Sequence, residues 1–282
     1  MRILVKIKPT MKRILIIATA MLLAVSCGQT KSQKILVLYY SQTGTTQYVA
    51  ENIAECLGAD IETIVPVVPY DGDYGATIER GRKELDEGNF PELKPLVSDI
   101  KDYDIVFLGY PVWFGTYAPP IQTLLNTVDF SGRKVVPFCT FGSGGLDSSS
   151  KAIAEQLEET EVLPGYGVRA ARKDAARVEI ERFLTGMGLL EGECVALEDF
   201  SAVRPVTPEE SAIFDAAVGT YPMINAKAEE VSCRPVPGGH EYIFTARDLP
   251  RDPGFTGQMP TIKVYVLAED GKEPVFTQVC RT

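Results

Sequence analysis

The sequence predicts an α/β protein: a parallel sheet covered by helices on both faces, followed by a small α+β unit. Three observations carry this. From Lys34 to about Glu191, short apolar runs alternate with stretches of helical periodicity, the pattern of a parallel sheet with crossover helices. Loops rich in Gly, Ser and Thr follow the apolar runs, where α/β folds place their ligands. After Arg204 a single capped helix is followed only by strand-like segments, as in a helix with an antiparallel meander. A length of 282 residues accommodates two such domains.

The elements begin after an N-terminal address. Met1 to Ser26 carries Arg2, Lys6, Lys8, Lys12 and Arg13 and no acid, and Ile14 to Val25 is apolar except for Thr19. This describes a secretory signal peptide, with Met1 or Met11 as the start. Leu23-Ala24-Val25-Ser26-Cys27 resembles a bacterial lipobox, which implies cleavage before Cys27 and a lipid on its sulfur. Twelve apolar-rich residues fall short of the roughly 20 that span a bilayer, so a retained helix is disfavoured. Residues 27–34 then form a lipidated cysteine and polar tether, and the expected location is the cell envelope.

Ile35 to Tyr40 is a continuous apolar run, as in a strand buried on both faces. Thr45 to Leu57 places Val49, Ile53, Cys56 and Leu57 on one helical face, and Gly58 ends the helix. Asp60 to Val65 is a second strand and Asp104 to Gly109 a third. Pro119-Pro120 opens a helix bearing Ile121, Leu124, Leu125 and Val128 on one face. Lys134 to Phe141 is a fourth strand, with Ala152 to Leu157 in the helix after it. Glu161 to Val168 is a fifth strand, interrupted by Pro164-Gly165. Asp174 to Met187 closes the series, with Ile180, Phe183, Leu184 and Met187 facing inward.

Arg204 to Pro208 marks the boundary between domains 35–200 and 205–282. Thr207-Pro208-Glu209-Glu210 combines an N-cap, a proline at the first helical position and a capping-box glutamate, for a helix reaching about Val218. Strand-like segments follow at Met223 to Val236, Glu241 to Ala246, Thr261 to Ala268 and Pro274 to Cys280, with an Asp270-Gly271 hairpin signal before the last. A meander sets the strands of Cys233 and Cys280 three spacings apart, roughly 14 Å and beyond disulfide reach.

Composition narrows the function. Hydrophobic residues make up 45% and the net charge is −10, from 28 Lys and Arg against 38 Asp and Glu. Losing Met1 to Ser26 removes five cations and no acid, leaving 23 against 38 and a net charge of −15. Nucleic acid is therefore disfavoured as a partner. The single histidine, His240, lies beside a Gly-Gly turn and reads as a surface residue. It leaves little room for zinc sites or His-dependent triads, and no metal site and no catalytic residue is expected. Five cysteines besides Cys27, at irregular spacing, are not a disulfide framework.

Three loops at strand ends carry the chemistry. Ser41-Gln42-Thr43-Gly44-Thr45-Thr46 joins four hydroxyls, a glycine and the amides of a helix start, an anion cradle without cations. Lacking both G-x-x-x-x-G-K-[ST] and G-x-G-x-x-G, it suits one terminal phosphomonoester. Gly109-Tyr110-Pro111-Val112-Trp113-Phe114-Gly115-Thr116-Tyr117 gathers four aromatics, able to sandwich a flat ring or to plug the end of the sheet. Thr140-Phe141-Gly142-Ser143-Gly144-Gly145 offers small residues and free amides to a polar ring edge. A capped helix and a plain connection are the alternatives for the first and third.

Together the three motifs resemble the flavodoxin family over Lys34 to Glu191. The resemblance implies strand order 2-1-3-4-5 and one non-covalent FMN. Its phosphate would lie on Ser41 to Thr46 and its ring between Pro111, Val112, Trp113, Phe114 and Gly115 and Thr140, Phe141, Gly142, Ser143 and Gly144. Trp113 is the aromatic expected nearest the ring. The second unit is similar to cystatin-like domains, including Gly239-His240-Glu241-Tyr242. Arg234-Pro235-Val236-Pro237-Gly238 stands where inhibitory members carry Gln-x-Val-x-Gly, so a docking or structural module is favoured over a protease inhibitor. The leading function is electron transfer to a redox partner protein or small-molecule acceptor, with the membrane met only through the lipid. The alternatives are an NAD(P)H-dependent FMN or quinone oxidoreductase, and a non-redox envelope protein that binds through its second domain.

Overall fold

Alternating burial on each strand explains why the first sheet needs helices on both sides. In strand β1 (Ile35–Tyr39), Leu36 and Leu38 turn to one face while Val37 and Tyr39 turn to the other, and all four are buried. A computed structural model describes residues 33–71, 73–157, 159–193, 195–219, 221–250 and 257–281. The export segment, Cys27, most of the tether and Cys194 lie outside them.

Helix α1 (Thr45–Leu57) returns the chain to strand β2 (Asp60–Thr63), which pairs in parallel with β1. Helix α2 (Tyr74–Glu87) follows, capped by the Asp73 carboxylate, which accepts from the Ala76 amide. Strand β3 (Ile105–Trp113) pairs with β1, then turns back as the two-residue strand β4 (Thr116–Tyr117). Helix α3 (Pro119–Thr127), strand β5 (Lys134–Phe141) and helix α4 (Leu146–Gln156) continue the alternation. Strands β6 (Glu161–Val162) and β7 (Tyr166–Arg169) both pair with β5, and helix α5 (Ala176–Gly186) closes the layer. With β6 and β7 sharing the fifth position, the parallel order is the expected 2-1-3-4-5.

One face packs Val37, Phe107, Val136 and Phe138 against Val49 and Ile53 of α1 and Ile180 and Leu184 of α5. The other packs Leu36, Leu108 and Val135 against Ile121 and Leu124 of α3 and Ile153 of α4. Each of these side chains contributes about 1.5–3 kcal/mol on burial.

Three expectations need correction. Helix α2 was not foreseen: only Thr77 and Gly81 are buried in it, too weak a stripe to register as periodicity. The second strand ends at Thr63, two residues early. The third extends to Trp113 because β4 supplies it with a partner beyond the parallel register, so Tyr110 to Trp113 are strand, not loop.

The second sheet is antiparallel, ordered β12-β11-β10-β9-β8. Its members are β8 (Arg204–Pro205), β9 (Ala226–Val236), β10 (Gly239–Asp248), β11 (Thr261–Glu269) and β12 (Val275–Arg281). Helix α6 (Pro208–Val218) lays Phe214 against Val231, Phe244, Val264 and Phe276. Its capping box forms as read: the Glu210 amide donates to Thr207 Oγ1 at 3.2 Å, and the Thr207 amide donates to Glu210 at 3.0 Å. Short β8 was not anticipated. Cys233 on β9 and Cys280 on β12 are free, as the meander requires, and His240 is exposed. Both sheets belong to one compact unit, Gln33–Thr282.

Candidate functional site

The carboxyl ends of β1, β3 and β5 lie side by side, and the three chemistry-bearing segments emerge there. At the end of β1 the chain bends through Ser41 to Gly44, whose φ of 83° is one that glycine takes without strain. The Gly44 amide donates to Ser41 Oγ at 3.2 Å, and the Thr43 and Thr45 hydroxyls lie 3.5 Å apart. No side chain caps α1, so the first-turn amides of Thr45, Thr46 and Gln47 have no acceptor within the helix. Space beside Gly44 is open: a Cβ there would meet nothing within 4 Å.

Two of the five cradle side chains are tied to residues outside the loop. Gln42 accepts from Tyr40 Oη at 2.6 Å and donates to the Tyr70 carbonyl at 2.8 Å, which sets the loop's path. Thr46 is 1% exposed, and its hydroxyl shares a 2.8 Å hydrogen bond with that of Thr140 at the end of β5. This pair ties the first loop to the third across β3. Thr46 can therefore offer a ligand only its backbone amide; the Gly44 amide is taken by Ser41 Oγ, and the hydroxyls of Ser41, Thr43 and Thr45 are left as the open side-chain donors.

The β3–β4 hairpin turns on Phe114 and Gly115, with φ of 53° and 83°. Positive φ at both central residues is the type I′ signature, and it is costly for the bulky Phe114. The four aromatics divide. Tyr110 and Tyr117 are buried under the hairpin in edge contact, ring centroids 6.1 Å apart, and so form the plug. Trp113 makes edge contacts with Tyr40 at 6.0 Å and Tyr70 at 5.2 Å. Its ring passes so near Gly81 of α2 that a Cβ there would stand 3.2 Å from the indole. Phe114 lies under the Arg82 guanidinium at 4.1 Å.

Helix α2 thus contributes a polar brace that the sequence did not disclose. Arg80 donates to Glu84 at 2.8 Å and to the carbonyls of Pro69 and Val68, while stacking on Tyr70 at 3.9 Å. Tyr70 Oη donates to Glu84. Burial, then the Glu84 bond, raises the Tyr70 phenol, and burial chiefly raises Tyr40, so both stay neutral donors.

The third segment is held from below. Tyr110 Oη donates to Ser149 Oγ at 3.0 Å, and Ser149 Oγ donates to the Gly145 carbonyl at 2.5 Å. Ser148 Oγ donates to the Gly115 carbonyl at 2.8 Å, joining the hairpin tip to α4. Thr140 and Phe141 are buried strand residues, while Gly142, Ser143 and Gly144 are accessible.

A cleft of about 410 Å³ opens beside this junction. One side is Gly115, Ser143, Gly144, Gly145, Asp147 and Ser148; the other is Met223, Ile224, Val279 and Cys280 of the second sheet and its approach. The Val279 amide donates to the Ser143 carbonyl at 2.6 Å. Arg169, 8% exposed, donates from Nε to the Gly142 carbonyl and from Nη1 to the Phe276 carbonyl, both at 3.0 Å. Sequence reasoning missed Arg169 because nothing in a strand-end arginine announces two carbonyl partners, one of them 107 residues away.

Against known proteins, the family model for flavodoxin matches residues 34–181. Among solved structures, one assigned as a flavoprotein from Bacteroides eggerthii is 28% identical, with a TM-score of 0.50, over 55% of this chain and 98% of its own. A flavoprotein from Lactobacillus acidophilus, solved in complex with FMN, is 26% identical, with a TM-score of 0.45, over 52% of this chain and 97% of its own.

Proposed function

Because the chain belongs to the flavodoxin family, we propose that it binds one non-covalent FMN at the carboxyl ends of β1, β3 and β5 and transfers electrons through it. The observation that carries this is the uncharged cradle at the start of α1, set beside the aromatic hairpin after β3 and the small-residue end of β5. An oxyanion there would meet the amides of Thr45, Thr46 and Gln47 and the hydroxyls of Ser41, Thr43 and Thr45, on the positive end of the helix dipole. The open space beside Gly44 leaves room for a phosphomonoester. The cleft near the hairpin and third segment is in the size range of small-molecule sites.

FMN, when bound, supplies the one- and two-electron chemistry; the chain supplies position and surroundings. The Thr46–Thr140 bond fixes the distance between cradle and third segment. The Tyr110–Ser149–Gly145 chain and the Ser148–Gly115 bond hold hairpin and third segment in register, so a ring placed there meets preformed walls. With the Gly142 and Ser143 carbonyls taken by Arg169 and Val279, the amides of these two residues are left for its polar edge. The acidic surface would steer basic redox partners into encounter by long-range attraction. In this reading Met1 to Ser26 exports the protein and Cys27 carries the lipid that keeps it in the envelope. Mass spectrometry of the mature N-terminus checks that part, and an intact leader contradicts it.

The test of the main reading is the absorption spectrum of purified protein, followed by anaerobic photoreduction and reoxidation by a one-electron acceptor. Flavin bands that bleach and return support it, while protein that neither carries nor takes up FMN overturns it. Steady-state NAD(P)H oxidation without any partner protein would assign the chain to the oxidoreductases instead.

A further inference from the structure

The cleft beside the third segment has walls of different origin. One comes from the β3–β4 hairpin and the β5–α4 connection; the other comes from Met223, Ile224, Val279 and Cys280, far along the chain. Three features fix the second wall against the first. The Val279 amide bonds to Ser143. At Gly144 an added Cβ would stand 2.3 Å from the Val279 carbonyl oxygen, so the close approach depends on that glycine. Arg169 joins the Gly142 and Phe276 carbonyls and stacks on the Phe276 ring at 3.4 Å. Burying a guanidinium on two carbonyls and a ring has a desolvation cost, and burial, followed by the nearby Arg172 charge, depresses its pKa. That expense is tied to one geometric result, the anchoring of the second sheet on the third segment.

We infer that the second sheet is a built-in outer wall of the flavin-ring cleft, with Met223, Ile224 and Cys280 turned to the bound ring and Arg169 as the positioning residue that holds the wall in place. The inference rests on the FMN reading above. It assigns the second domain a role in the cofactor site rather than as an independent docking module. An apolar wall there excludes water from one side of the ring and narrows access for an acceptor.

Cys280 supplies the probe, since it is a half-buried free thiol that lines the cleft. Burial, then Asp147, raises its thiol pKa, so alkylation of the full chain by N-ethylmaleimide is run at alkaline pH and read by peptide mass spectrometry. FMN and inorganic phosphate are compared, with FMN binding followed by absorbance in the same samples and Cys56 of α1 as the internal reference. At a tenfold excess of FMN over its Kd, alkylation of Cys280 slows about tenfold, because only the unoccupied fraction reacts. Phosphate leaves the rate unchanged. FMN binding with an unchanged Cys280 rate overturns the wall and leaves the FMN reading intact, whereas absence of FMN binding overturns both. As a second measure, Cys280→Trp fills the cleft and weakens FMN at least tenfold in a variant whose circular dichroism matches the parent; unchanged affinity overturns the wall.

Discussion

Replacing Gly144 by alanine tests the joint between the sheets more sharply than any charge change. The new methyl would lie 2.3 Å from the Val279 carbonyl oxygen and 3.3 Å from its carbon, both backbone atoms that no rotamer change can move aside. Restoring ordinary contact requires a shift on the order of 1 Å, large for a close-packed interior. The Val279–Ser143 hydrogen bond, 2.6 Å long, lies along the same approach and would be stretched or lost. Overpacking of this kind costs about 1–3 kcal/mol and the hydrogen bond about 0.5–1.5 kcal/mol, for a combined loss of about 1.5–4.5 kcal/mol. At roughly 2–4 °C per kcal/mol, the thermal midpoint falls by about 3–18 °C. Gly142→Ala, two residues away, is the control: its methyl would meet only Tyr221 Oη at 3.7 Å, an ordinary contact. Thermal unfolding followed by circular dichroism compares the two. Equal midpoints for both variants would refute the close approach and with it the anchored joint.

Two further consequences concern the cradle and the second domain. Thr46→Val removes one partner of the buried 2.8 Å hydroxyl pair and leaves Thr140 unsatisfied, at a cost of about 1–3 kcal/mol. Thr46→Ser keeps the bond, so chemical denaturation should separate the two; equal losses would contradict the pairing. Arg204 and the Thr207 cap lower the Glu210 carboxyl to about 2 from an ordinary value of 4.5. Its stabilising contribution is therefore complete above pH 4.5 and disappears as pH falls through 2. Glu210→Gln should destabilise by about 1–2 kcal/mol at neutral pH and by progressively less on acidification, since bonds to a charged partner exceed neutral ones by about that much. A gap between the thermal midpoints of wild type and variant that stays constant from pH 7 to pH 2 would contradict the assigned shift.

The parallel core was readable because its strands are continuous apolar runs and its helices bury regular faces. Lys134–Phe141 and the capped helix after Thr207 emerge with the bounds expected. Local chemistry determines those segments, so local sequence reveals them. What escaped depends on distant partners. Helix α2 buries little of itself and is held by polar links from Arg80 and Tyr70, which leave no periodic trace. The aromatic stretch Gly109–Tyr117 divides, Tyr110 and Tyr117 buried under the hairpin and Trp113 set against Tyr40 and Tyr70, only because β4 folds back on β3, and composition alone could not separate Tyr110 from Trp113. In the cradle the sequence shows five candidate side-chain donors, yet Gln42 and Thr46 are diverted to Tyr70 and Thr140, partners 28 and 94 residues away. The cleft itself joins the Ser143–Ser148 stretch to Val279 and Cys280, far along the chain, and no motif spans that separation.

The central claim is that uncharged donors at the start of α1 grip a flavin by its phosphate. Parallel titration of cofactor-free protein with FMN and with riboflavin, followed by quenching of flavin fluorescence, tests it most directly. A cradle supplying several charge-assisted hydrogen bonds, each contributing about 1.5–3 kcal/mol, predicts that FMN binds at least a hundredfold more tightly than riboflavin. Equal affinities, or no binding of either, would contradict it.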